Sequence, residues 1–191
     1  MSRFDALRAG TAAAMVTTAL AWAPSAQGDT CEASTTCSTT VTFTVNAGEG
    51  LEISVPDGPV SLGGGQPGNQ VSGQLQVVTV MDQRAALNAT WTASVSGTPL
   101  TTGGGTGAEI IPLSALSYWS GPATATTGVG TFVPGQPTAA SAQVLDEVYT
   151  AFSKISGAGR NSASWNPTIV VNVPDQAVAG IYTGTISHSV A

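Results

Sequence analysis

Charge is scarce in this chain. Its 191 residues hold five Lys and Arg and eleven Asp and Glu, 8% in all, against about 25% in an average soluble domain. Most nucleic-acid binders are thereby excluded, because phosphate neutralisation needs clustered cations. Coiled coils and helical bundles are excluded as well, since their charged and apolar residues recur at helical spacing. The one histidine, His188, excludes a multi-histidine metal site. Two thiols, Cys31 and Cys37, cannot complete four zinc ligands by themselves, and no cofactor is expected. Polarity is carried instead by hydroxyls and backbone: 26 Thr, 19 Ser, 23 Gly and 11 Pro. With 42% apolar residues, many of them β-branched, the chain can still bury a core.

The N-terminus has the order of an export signal. Arg3 and Arg8 precede an uncharged run of apolar and small residues, Thr11 to Ala23. That run matches a signal-peptide core and is too short to span a membrane. Ala26-Gln27-Gly28 offers small residues one and three positions before a cut, so residues 1–28 read as a signal peptide and 29–191 as one domain. Processing leaves three bases (Arg84, Lys154, Arg160) against ten acids, a formal net of −7. Such a surface repels anionic polymers at long range, so contact with a wall would rely on stacking and hydrogen bonds. In an oxidising compartment Cys31 and Cys37 are expected to pair and pin the mature N-terminus. No transmembrane segment is expected after cleavage.

Beyond the cut, strand periods dominate. From Thr40 onward, Val41, Phe43 and Val45 alternate with Thr42 and Thr44, the period-2 pattern of a half-buried strand. Leu51 to Val55 repeats it and stops at Pro56-Asp57-Gly58, a turn tripeptide. Further strands are expected over Leu75–Val80, over Ala89–Ser96 with Trp91, Ala93 and Val95 on one face, and briefly at Ile110–Leu113 and Leu116–Trp119. Gly121 to Thr138 reads as a long surface excursion. Gln143 to Ser156 has helical character, because Val144, Val148, Ala151, Phe152 and Ile155 recur at three- and four-residue steps, although its strand formers also allow a β reading. Ile169 to Val173 and Ile181 to Val190 close the chain, with Pro174 to Gly180 fitting a hairpin connection. The expectation is an all-β sandwich of short antiparallel strands with room for one short helix near 143–156.

Two stretches together resemble the WxL domain, a cell-surface domain of Gram-positive bacteria. The first is Gln74 to Arg84 followed by Trp91-Thr92-Ala93. It is similar to that family's strand ending in an Asp-x-Arg turn and the next strand carrying Trp-x-Leu; Asp82, Arg84 and Trp91 match, and Ala93 stands where Leu is expected. The second is Trp165-Asn166-Pro167, Val171 to Pro174 and Ala179 to Val190. It resembles the family's closing hairpin; Tyr182 matches, Ile186, Ser187 and Val190 are close substitutes, and His188 occupies the position of the second tryptophan. The resemblance covers about Leu51 to Val190. It implies a secreted or wall-associated domain bound non-covalently to peptidoglycan, with structural roles for Asp82, Arg84 and Tyr182.

Aromatic residues supply the candidate ligand contacts. Trp91 and Trp165 are either sugar-stacking platforms or core packing between two sheets. Trp119, beside Tyr118 and a Gly-Pro pair, is the better placed for exposure. Asp82 and Arg84 read as a salt bridge fixing the turn before Trp91, and His188 as a half-buried strand residue. Asp146 and Glu147 are adjacent and diverge, so they form no carboxylate pair. No nucleophile, base and orienting group assemble, so no catalytic residue is assigned. The leading function is a secreted, non-catalytic domain that associates with the cell wall. The alternative is an assembly subunit binding another surface protein or itself through sheet edges.

Overall fold

The computed structural model describes residues 32–34 and 37–191. The signal segment and Cys31 lie outside them, and with them the cleavage at Gly28 and the Cys31–Cys37 pairing. The chain divides into two units, one ending at Phe43 and the other running from Thr44 to Ala191. In the first, Cys37 to Phe43 is exposed and belongs to no strand. The strand expected from Thr40 does not form: Val41, Phe43 and Val45 have the alternation but no partner strand among the described residues.

The Thr44–Ala191 unit is all β. Its strands are β1 (Leu51–Ser54), β2 (Gln70–Gln74), β3 (Val78–Asp82), β4 (Trp91–Gly97), β5 (Leu100–Thr101), β6 (Ile110–Ile111), β7 (Leu116–Trp119), β8 (Ala123–Thr127), β9 (Phe132–Pro134), β10 (Gln143–Val144), β11 (Tyr149–Lys154), β12 (Asn161–Trp165), β13 (Thr168–Asn172) and β14 (Ile186–Val190). Three antiparallel sheets have the orders β1-β3-β12-β8, β14-β4-β11-β9 and β10-β7-β13-β2. The first two face each other: Val78, Val80, Ala163 and Trp165 from one share a buried cluster with Trp91, Ala93, Val95, Ala151 and Phe152 from the other. Alternation places these residues inward and their Thr and Ser neighbours outward. The third sheet adds Leu116, Tyr118, Ile169 and Val171 to the same cluster.

One bent ribbon links the first and third sheets. β3 pairs with β12 up to Val78↔Trp165, and β2 pairs with β13 from Gln74↔Thr168. Between them the chain bends at Leu75–Val77, where Gln76 has φ +70°, and at Asn166-Pro167, where proline has no N–H for a ladder. The Leu75 N–H still donates to the Pro167 carbonyl at 2.8 Å.

Three sequence expectations are corrected. There is no helix over 143–156; β10 and β11 occupy it. A bulge between Thr150 and Phe152 buries Ala151 and Phe152 in succession, which breaks the period of two and imitates helical spacing. The excursion over 121–138 contains two edge strands. β8 is exposed along its whole length and is held by backbone pairing to β12, so it has no apolar pattern to read. The final two strands are not a hairpin: both edges of β13 are occupied by β2 and β7, and β14 joins β4 in another sheet.

Candidate functional site

The turn from β3 to β4 is built around a buried carboxylate. Asp82 is the next inward position after Val78 and Val80, and it is 1% exposed. Arg84 meets it bidentately: Nε donates to Oδ1 and Nη2 to Oδ2, each at 2.9 Å. The Arg84 backbone N–H adds a bond to Oδ1 at 3.0 Å, and Nη2 also reaches the Thr90 carbonyl at 2.8 Å. Asn161 Nδ2 donates to Asp82 Oδ2 at 3.2 Å, and Trp91 Nε1 donates to Asn161 Oδ1 at 2.8 Å. The hydrogen bonds from Arg84 hold the Asp82 carboxyl below the usual carboxylate range and push the guanidinium up. A buried carboxylate needs this much pairing to stay charged.

Lys154, the only lysine in the chain, lies buried nearby. Its Nζ donates to the carbonyls of Ala89 at 2.9 Å, Ser156 at 2.7 Å and Gly157 at 3.3 Å. It also sits 5.9 Å from the Phe132 ring centroid, within cation–π range. Burial pushes the ammonium's pKa down. Sequence reasoning missed this anchor. Its signal was a lone lysine two residues after Phe152, in the inward phase of a strand.

An aromatic row crosses the core. Phe132, Trp91 and Phe152 are in contact at 6.4 Å spacing, Phe152 stacks on Trp165 at 4.9 Å, and His188 meets Trp165 at 6.3 Å and Tyr118 at 5.8 Å. Trp165 Nε1 donates to Tyr118 Oη at 3.3 Å, and Tyr118 Oη lies 3.2 Å from His188 Nε2. An indole N–H can only donate, so the Tyr118 oxygen accepts from Trp165 and its own proton is available to His188 Nε2 in the tautomer that leaves that nitrogen unprotonated. Burial pushes the His188 pKa down to about 4 and that of Tyr118 up. As alternation suggested, Ile186, His188 and Val190 share the half-buried face of β14.

These placements divide the candidate ligand contacts. Trp91, Trp165 and Tyr118 are 3%, 0% and 0% exposed, so none presents a face to a sugar; their rings fill the core. Trp119 at the end of β7 is half-buried and sits beside Gly121, whose φ is +71° and where a Cβ would lie 3.6 Å from the indole ring. Tyr182 is partly buried against the core cluster. Its hydroxyl is within 2.9 Å of the Ala108 carbonyl and 3.0 Å of the Val178 carbonyl, tying the segment before β14 to the loop before β6. Asp146 accepts from the Tyr149 hydroxyl at 3.1 Å.

A groove of about 320 Å³ opens on the side where β1 and β14 are both edge strands. Val55, Val60, Leu75, Val78, Gly184 to Ile186 and His188 are among the residues that line it. Among the described residues no three His, Cys, Asp or Glu side chains cluster as metal ligands, and no helix is long and apolar enough to cross a membrane. No known protein-family model matches the chain, and no curated protein matches it significantly.

Proposed function

We propose that the chain is an exported, non-catalytic surface domain that associates non-covalently with the peptidoglycan of a Gram-positive wall. The observation that carries this reading is Trp119, half-buried at the end of β7 while Trp91 and Trp165 are buried. A partly exposed indole offers an apolar face and an N–H to a saccharide ring, the kind of contact left to a chain with a net charge of −6. The polar interior supports the non-catalytic part. Asp82 is committed to Arg84 and Asn161, Lys154 to three carbonyls and His188 to Tyr118. Cosedimentation of the exported chain with purified walls, wild type against Trp119→Ala, tests the reading.

A second reading, an assembly subunit that binds itself at the cell surface, is favoured by one observation. The apolar side chains of Val41, Phe43 and Val45 are exposed at strand spacing, in a chain that also has an open apolar groove.

A further inference from the structure

The outer face of the third sheet is made of hydrogen-bonding groups without charge. Tyr118, Ile169 and Val171 belong to the core cluster, so alternation turns Trp119, Thr168 and Val170 the other way. Thr168 pairs with Trp119 on one side and with Gln74 on the other, which sets the three in one row across β7, β13 and β2. Neighbouring strands lie about 4.8 Å apart, so the Trp119 and Gln74 Cα atoms are about 10 Å apart with Thr168 between them. Val170 and Ser72 form the next pair along this face, and Asn172 and Gln70 the one after. From Gln74 to Gln70 the face runs about 14 Å.

Its polar groups are held in place and left open. Asn166 Nδ2 donates to Gln74 Oε1 at 3.0 Å, and Asn166 Oδ1 is enclosed. A packed side chain thus holds the Gln74 amide and leaves Gln74 Nε2 as a free donor. Gln70 Nε2 donates to Asn172 Oδ1 at 2.9 Å, leaving Asn172 Nδ2 as a donor and Gln70 Oε1 as an acceptor. Gln70, Ser72, Gln74 and Asn172 are all exposed. The indole N–H groups of Trp91 and Trp165 are taken by Asn161 and Tyr118, whereas that of Trp119 has no partner among the described residues.

We infer that this face is where the wall is held, and that its ligand is the glycan strand, an uncharged N-acetylated saccharide chain, not the peptides attached to it. The inference rests on the wall-association reading and names the part of the wall recognised. The Trp119 ring meets the apolar face of one sugar. Gln74 Nε2 donates to an acetamido carbonyl, and the Gln70–Asn172 pair meets hydroxyls of a sugar further along. Charge selects against the peptides. The four strands of this sheet contain no Asp, Glu, Lys or Arg, and a peptide carboxylate is held well only by a cation or a set of converging N–H groups. The three bases outside residues 1–28 are Arg84, Lys154 and Arg160. Arg84 is bound to Asp82, Lys154 to carbonyls and Arg160 to Gln83. Asp82 pairs with Asn161, at the end of β12 opposite Trp165 and Asn166.

The test is isothermal titration calorimetry of the exported chain with a soluble N-acetylglucosamine oligomer and, separately, with free stem peptide, beside cosedimentation with whole walls. The variants are Trp119→Ala and Gln74→Ala, with circular dichroism to check that each folds; Gln74 is exposed. The expected result is that the oligomer binds and the stem peptide does not. Trp119→Ala should lose the oligomer, and Gln74→Ala should weaken it about 3- to 10-fold, the effect of one hydrogen bond. A wild type that pellets with walls but binds only the stem peptide, or neither soluble probe, overturns the glycan inference and leaves wall association standing. A wild type that binds neither walls nor oligomer overturns both. Oligomer binding unchanged in folded Gln74→Ala overturns this face as the site.

Discussion

Trp91 and Asp82 are joined through one amide. Asn161 accepts from the Trp91 indole at 2.8 Å and donates to the Asp82 carboxylate at 3.2 Å, so β4, β12 and β3 are locked together at one end of the sandwich. Asn161→Ala leaves a buried indole N–H without its acceptor and removes one donor from a buried carboxylate. Each unmet buried group costs about 1–3 kcal/mol, so a loss of about 2–4 kcal/mol is expected in urea unfolding. A loss below 0.5 kcal/mol, within the ordinary scatter of surface substitutions, would show that water replaces the amide without cost.

Lys154→Met keeps much of the side-chain volume and removes the charge. Three carbonyls lose their donor, and a destabilisation of about 2–5 kcal/mol follows from charge-assisted bonds left unmade. Thermal unfolding reads it directly. A variant as stable as the wild type would mean that desolvation of the ammonium cancels its bonds.

Acid should destabilise the fold in two stages. The His188 pKa is about 4 in the folded chain, against 6.5 for the free side chain. Between those values the unfolded chain binds more protons, so stability rises with pH, and lowering the pH through this window removes at most about 3 kcal/mol. Asp82 acts lower still. Hydrogen bonds from Arg84 hold its pKa under 3.8, so its contribution is present above that value and fades as pH falls below it. His188→Leu should flatten the melting temperature between pH 6.5 and 4 and keep the fall beneath 4. An unchanged slope in the upper window would place the transition on another group.

Much of the fold was legible because burial follows alternation. Trp91, Ala93 and Val95 point inward as their spacing required, and the Asp-x-Arg turn forms the expected ion pair. What stayed hidden depends on distant partners. The bulge in β11 shifts Ala151 and Phe152 into one phase, and no local signal distinguishes that from a helical stripe. β8 is exposed on both faces, so only its pairing with β12 makes it a strand. The expected closing hairpin failed because β7 and β2 had already taken both edges of β13, a long-range fact. For the candidate site, the sequence named the aromatic residues but did not sort them; burial separates Trp119 from Trp91, Trp165 and Tyr118.

Trp91→Ala and Trp119→Ala should therefore fail differently. Removing a core indole costs about 3–5 kcal/mol, so Trp91→Ala is expected to lose its cooperative unfolding transition or shift it far down. Trp119→Ala should unfold within about 1 kcal/mol of the wild type.

Wall association is tested most directly by cosedimentation of the exported chain with purified Gram-positive peptidoglycan at neutral pH. The expected result is that the wild type pellets with the wall while folded Trp119→Ala stays in the supernatant. A wild type that stays in the supernatant, or a Trp119→Ala variant that pellets equally well, would contradict it.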